Sequence, residues 1–243
     1  MGGAAAAKTE RRRSSFEASG TGIALGHTMR IITLPGVFQP RSDTWMLAEA
    51  LREHLRPGGH VLDLCTGSGA LAVTAALHGA GRTVAVDVSR RAVVTAWCNA
   101  RLNGVRVRGI RGDLFAAVPG ERFDVIVSNP PYLPDDDDEL PTRGQRRAWD
   151  AGRDGRVLLD RICREAAEHL RPAGVLLLVQ SSVIGEEATL RLLTRHGLKP
   201  SVLVRRHGPL GPLLSARAPA LEAKGMLEPG DRTEDILVVG GRR

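Results

Sequence analysis

Four consecutive residues, Asn129-Pro130-Pro131-Tyr132, have the most specific chemistry in this 243-residue chain. They follow Val125-Ile126-Val127, an apolar run that reads as a buried strand. Two prolines set φ and remove two N–H donors, so the loop is stiff and its carbonyls are left unpaired. Asn129 adds a side-chain carbonyl. Two acceptors fixed close together match the two hydrogens of an –NH₂ group and leave the nitrogen lone pair to be aimed at an electrophile. In a planar amide or aromatic amine that lone pair is delocalised, so orientation is the main lever available. Tyr132, the only tyrosine, can lie flat against such a group. The competing reading is a rigid loop or proline-rich ligand, and the buried strand before it argues against that.

Three further loops lie upstream. Asp63-Leu64-Cys65-Thr66-Gly67-Ser68-Gly69 ends a strand. Gly67 and Gly69 permit a tight turn and a close backbone approach to a ligand. The helix that follows offers free N–H groups and a positive dipole end. Asp63 suits a cationic group such as an amino-acid ammonium. Ala72 stands where a dinucleotide fingerprint has its third glycine, and Ala is tolerated there, so these glycines leave NAD open, as well as a plain strand-to-helix turn. Asp87, 18 residues beyond Gly69, closes the next strand and can accept both hydroxyls of a ribose. It can equally cap a helix, as can Ser89. Asp113-Leu114 places a carboxylate beside a backbone N–H, a pair able to hold an adenine edge.

The elements that must position these loops alternate between strand and helix. Apolar strands are expected at 31–34, 60–64, 83–87, 105–110, 123–128, 175–179, 201–205 and 235–239. Helices are expected over 42–55, 70–78, 90–103, 156–170 and 185–196, the first opened by Ser42-Asp43-Thr44. Arg171-Pro172-Ala173-Gly174 reads as a stop, and the Pro-, Gly- and Arg-containing stretch 205–234 as a loop insertion. Such alternation predicts an α/β fold with a mainly parallel sheet and helices on both faces. Ligands then bind beyond the C-terminal ends of the strands. Residues 1–28 hold an Ala run and Arg11-Arg12-Arg13 without an apolar period and read as a disordered leader; 29–243 reads as one domain.

Hydrophobic residues at 42% and charged residues at 25% are globular proportions. No apolar run reaches the roughly 18 residues of a membrane span, and no signal-peptide core opens the chain. Cys65, Cys98 and Cys163 form no CxxC pair and no His/Cys cluster of metal-ligand spacing, which predicts a reducing compartment, the cytoplasm, and no metal site. The net charge of +7 suits an acidic partner such as nucleic acid. Its arginines are scattered, however, and aromatics at 3% are too few for stacking platforms. The acidic run 135–139 just after Tyr132 is expected to repel a phosphate backbone.

Asp63-x-x-x-Gly67-x-Gly69, Asp87, Asp113-Leu114 and Asn129-Pro-Pro-Tyr132, in this order and spacing, resemble the class I S-adenosylmethionine-dependent methyltransferases with an NPPY loop. Within them the chain is most similar to the HemK-like glutamine N5-methyltransferases, which modify the Gly-Gly-Gln loop of release factors. Val37-Phe38-Gln39-Pro40-Arg41-Ser42-Asp43-Thr44 resembles the Y-x-P-x-x-D-T segment of the short members, with Phe38 in the place of Tyr. Ala151-Gly152-Arg153-Asp154-Gly155-Arg156 resembles their GG-x-DGR segment, with Ala151 in the place of the first Gly. The resemblance covers about 30–185.

What it implies is a Rossmann-like, seven-stranded sheet and S-adenosylmethionine as cofactor. It implies Thr44, Asp63, Thr66, Gly67, Gly69, Asp87, Val88, Asp113, Leu114 and Asn129 as cofactor-binding residues. Asn129, Pro130, Pro131 and Tyr132 are the implied catalytic residues. The longer members carry an N-terminal helical domain that residues 1–28 do not supply, so the chain resembles the short ones, some of which need a small activating subunit. A release factor is the substrate expected first. N6-adenine or N2-guanine methylation of RNA or DNA stays open, because those amines present the same pair of hydrogens, and so does a small-molecule acceptor.

Overall fold

Alternate residues of an apolar strand face opposite ways, so strands without polar positions need helices on both sides. The structure, a computed structural model, describes residues 21–24, 27–142 and 144–243. It opens with an antiparallel pair, β1 (Thr21–Ala24) and β2 (His27–Arg30). Then come α1 (Ser42–His54), β3 (His60–Leu64), α2 (Ala70–Leu77), β4 (Arg82–Asp87), α3 (Arg90–Leu102) and β5 (Arg108–Arg111). The second half holds β6 (Phe123–Ser128), α4 (Val157–His169), β7 (Leu170–Ser181), α5 (Glu186–Arg195), β8 (Lys199–Pro209), α6 (Pro212–Ala223) and β9 (Thr233–Arg242).

Seven strands form one sheet in the order β5-β4-β3-β6-β7-β9-β8. The first five are mutually parallel, and β9 runs antiparallel to both β7 and β8. The expected mainly parallel α/β sheet is therefore the one present. Two cores sandwich it. Leu62, Leu64, Ile126, Leu176 and Leu178 pack with Leu159, Ile162 and Leu193 of α4 and α5. Val61, Val125, Val127, Leu177 and Val179 pack with Met46, Leu47, Leu51 and Leu71 of α1 and α2. The chain enters the sheet at β3, fills one side through β5, then returns to place β6 on the other side of β3. That reversal opens a crevice at the C-terminal ends of β3 and β6.

Four expectations differ from the structure. Residues 31–34 are not a strand: Asn99 of α3 takes both the N–H and the carbonyl of Ile32, at 2.9 and 2.8 Å, so a side chain replaces the ladder. β1 and the first half of β2 fall inside the expected leader, whose remainder lies outside the described residues. The stop at 171–174 is instead the irregular start of β7, where the register with β6 shifts and Ala173 takes a positive φ of 61°. Within 205–234, the expected loop, lies α6. Pro212 begins it in the one helical turn that tolerates proline, but Pro219 sits inside it, and an internal proline is a loop signal in sequence.

Candidate active site

A cavity of about 970 Å³ lies at the crevice. The helix-sheet geometry brings most of the expected residues to its wall: Thr44, Thr66, Gly67, Asp87, Val88, Asp113, Leu114 and Asn129 through Tyr132. Asp63 and Gly69 are not on the wall. Gly69 has φ +81°, and a Cβ there would meet the Ala96 Cβ at 2.6 Å, so its hydrogen is what lets α3 close on the loop. Asp63 is fully buried behind the loop, where its Oδ2 accepts the Thr66 hydroxyl at 2.5 Å and the Ala72 N–H at 3.1 Å. Its Oδ1 is buried without a partner, and burial pushes its pKa up to about 7. Asp63 thus braces the glycine turn from within.

Asp87 accepts the Gly67 N–H at 3.1 Å and the Ser89 N–H at 2.8 Å, one on each oxygen. The helix cap is Ser89, whose Oγ accepts the Ala92 N–H, so Asp87 is left on the cavity wall as a polar group between the two loops. Burial raises the Asp87 pKa, and the two N–H bonds oppose that rise. Exposed Val88 and buried Leu114 add apolar surface beside it. Arg161 takes one oxygen of Asp113, and Leu114 turns with φ +44°. Carboxylates, an apolar slot and a glycine turn with φ +53° at Gly67 fit a cofactor with ribose, base and amino-acid parts.

The loop Asn129–Tyr132 is held from the start of α1. Asn129 donates through Nδ2 to Asp43 Oδ2 at 3.2 Å and to Thr44 Oγ1 at 3.0 Å. Tyr132 donates its hydroxyl to the same Asp43 oxygen at 3.1 Å. With its nitrogen anchored twice, the Asn129 amide has one orientation, and its Oδ1 accepts no hydrogen bond among the described residues; nor does the Pro130 carbonyl. Burial, then the charges of Asp43 and Glu234, hold the Tyr132 phenol well above its usual pKa, so it stays a neutral donor. Behind the loop, Leu133 donates its N–H to the Trp149 carbonyl at 2.7 Å and accepts the Ala151 N–H at 3.0 Å. Gly155 (φ +73°) packs so close that a Cβ would overlap the Tyr132 carbonyl. Arg156 is buried and ties this segment to the carbonyls of Ile184 and Gly185.

Asp43 and Glu234 are not among the residues expected at the site. Asp43 has a signal, since it precedes Thr44 in the D-T pair, but in sequence it reads as part of a helix start. Glu234 has none, because it lies at the end of the stretch expected as a loop. The acidic run is also less bare than its composition implies: Asp135 pairs with Arg146, Asp136 with Lys224 and Asp138 with Arg153. The negative charge of the run is thereby offset in part. Cys65 reaches the cavity, but burial pushes its thiol pKa up, away from thiolate chemistry.

A seven-stranded sheet with this reversal and an Asn-Pro-Pro-Tyr loop at its crevice defines a class I methyltransferase. Residues 28–143 match the family described as the methyltransferase small domain. A protein of Methanocaldococcus jannaschii, provisionally named a protein N5-glutamine methyltransferase, is 36% identical over 184 residues, 76% of this chain and 92% of that protein. The release factor glutamine methyltransferase of Gloeobacter violaceus is 36% identical over 167 residues, 65% of this chain and 58% of the relative. Among solved structures, a chain of the E. cuniculi Mtq2-Trm112 complex, responsible for methylation of the termination factor eRF1, superposes with a TM-score of 0.58. It is 23% identical, and the match covers 86% of this chain and 99% of that one. The chain belongs to the HemK-like protein N5-glutamine methyltransferase family, whose enzymes use S-adenosylmethionine.

Proposed function

We propose that this chain methylates the side-chain amide nitrogen of a glutamine in a protein, with a translation release factor as the first substrate to test. S-adenosylmethionine, when bound, supplies an electrophilic methyl group. The observation that carries the reading is the anchoring of the Asn129 amide. Asp43 and Thr44 consume its N–H donors, so Oδ1 and the Pro130 carbonyl stand as two free acceptors. They hold both hydrogens of the target –NH₂, while Tyr132 packs on its plane and Pro131 keeps the loop rigid. Preorganised acceptors cost no rearrangement when charge develops on that nitrogen. Asp87 holds the ribose hydroxyls, Val88 and Leu114 flank the base, and Asp113 takes its amino group. Thr44, Thr66 and Gly67 line the amino-acid end, with Asp63 and Gly69 shaping the turn behind them.

The named functions of the archaeal and bacterial relatives support glutamine as the acceptor, and a translation substrate is the ground for proposing the cytoplasm. No helix among the described residues is long and apolar enough to cross a membrane. A small activating subunit belongs to the same reading. Exposed Val94, Trp97 and Leu102 lie on α3, the helix packed beside the edge strand β5, and with Arg101 over the Trp97 ring they offer surface for one. An adenine or guanine amine is the competing acceptor. Incubation with methyl-labelled cofactor and either a release factor or ribosomal RNA tests the choice. Label on the glutamine amide, located by mass spectrometry, is the expected result; label on RNA alone overturns it.

A further inference from the structure

Glu234, the second residue of β9, lines the cavity wall with Tyr132 and the start of α6. Its side chain is only 7% exposed, and its charge reaches the Tyr132 phenol. Oε1 accepts the Gly211 N–H at 2.7 Å, at the N-terminus of α6. Oε2 is buried and has no hydrogen-bond partner, and no ion pair engages the carboxylate among the described residues. Gly208 and Pro209 of β8 pair across from Glu234 and Thr233, and the cavity wall includes Leu133, Trp149, Pro212 and Leu214 as well as charged Arg41 and Arg147. A buried carboxylate oxygen without a donor is costly, and such a group in a binding cavity is accounted for when the ligand brings the donor.

We propose that Glu234 is a substrate-recognition residue, whose Oε2, closed off in the free protein, is uncovered by the incoming peptide that carries the target glutamine and accepts a hydrogen bond from an N–H donor on it. This rests on the protein-amide reading above. The structural duty of Glu234, holding Gly211, needs one oxygen; the second is surplus to it. The cofactor-side loops follow β3, β4 and β5, whereas Glu234 comes from β9 and stands with the catalytic tyrosine and α6. A carboxylate also rejects a phosphate backbone and selects a donor-rich peptide.

Glutamine at this position separates the two duties. Its single acceptor can keep the Gly211 bond, but its –NH₂ then faces the incoming donor. Glu234→Gln and Glu234→Ala are compared with wild type for release-factor KM, kcat, cofactor Kd and thermal midpoint. Both variants are expected to raise KM about tenfold or more, with kcat and cofactor Kd within about twofold of wild type. A wild-type KM in Glu234→Gln overturns the assignment. So does a KM rise that comes only with lost cofactor affinity and a lowered midpoint, since that marks a purely structural role. Failure of the wild-type protein to methylate a release factor overturns the protein-amide reading and this one together; a substrate effect missing only from the variants overturns this one alone.

Discussion

Asp43 holds Asn129. One carboxylate oxygen at the first turn of α1 accepts the Asn129 amide nitrogen at 3.2 Å and, from the other end of the same loop, the Tyr132 hydroxyl at 3.1 Å. An asparagine amide is nearly symmetric in shape, so only its hydrogen-bond partners decide which end faces the cavity. Asp43→Asn allows the flipped orientation by offering a donor where only an acceptor stood. It is expected to lower kcat about ten- to hundredfold while cofactor Kd changes little. A kcat equal to wild type at saturating substrate refutes this account of the loop.

Asn129→Ala removes the acceptor itself. Turnover is expected to fall by about two to three orders of magnitude, as when one preorganised partner of a transition state is deleted. Cofactor affinity, measured by calorimetry, should stay close to wild type. If it collapses instead, Asn129 serves the cofactor first.

Asp87→Ala is expected to act in the opposite order. Loss of the carboxylate between the glycine loop and α3 removes charged hydrogen bonds, each about 1.5–3 kcal/mol, so cofactor Kd should rise about ten- to hundredfold. With cofactor raised to saturation, kcat should recover; an unrecovered kcat counts against a binding role.

Gly155 backs the Asn129–Tyr132 loop with a positive φ of 73° and no room for a Cβ against the Tyr132 carbonyl. Gly155→Ala combines left-handed strain with overpacking, for an expected loss of about 2–4 kcal/mol in urea unfolding, together with weakened activity. Gly120, also at positive φ (70°) but with open space within 4 Å of where a Cβ would stand, is the control: Gly120→Ala keeps only the strain term, about 1–2 kcal/mol.

Asp63 sets a pH dependence. Its carboxyl is protonated up to about pH 7 in the folded protein and ionises near 3.8 when exposed. A raised folded pKa means that the folded chain keeps a proton which the unfolded chain loses. The stability of the cofactor-free protein therefore falls as pH rises from about 4 to about 7 and levels off above. Asp63→Asn mimics the protonated carboxyl and lacks this slope. The difference between the two proteins should change by a few kcal/mol over that range in urea titrations, with equal slopes as the refuting result.

Much of the site is legible in the sequence alone. Gly67, Asp87, Leu114 and Asn129 lie where strand ends put them, because a parallel sheet delivers the C-terminal ends of its strands to one edge. What escapes depends on partners distant in the chain. Asp43 looks like a helix-start residue until Asn129, 86 positions later, is folded against it. Ile31-Ile32-Thr33-Leu34 has strand composition, yet the Asn99 side chain claims its backbone first. Pro219 hides α6, whose burial of Leu214, Ala218 and Leu221 against Leu133 outweighs one interrupted helical bond.

The NPPY loop remains the firmest feature of the chain. By itself the sequence determined the α/β order, the loops that meet at the crevice and the stiff Asn-Pro-Pro-Tyr turn among them, because local strand, turn and proline geometry dictate them. Only the tertiary structure decided which end of the Asn129 amide faces the cavity, that Asp63 works behind the wall, and that Glu234 joins it. Those facts are set by hydrogen-bond partners and burial, which exist only once segments far apart in the chain are packed together.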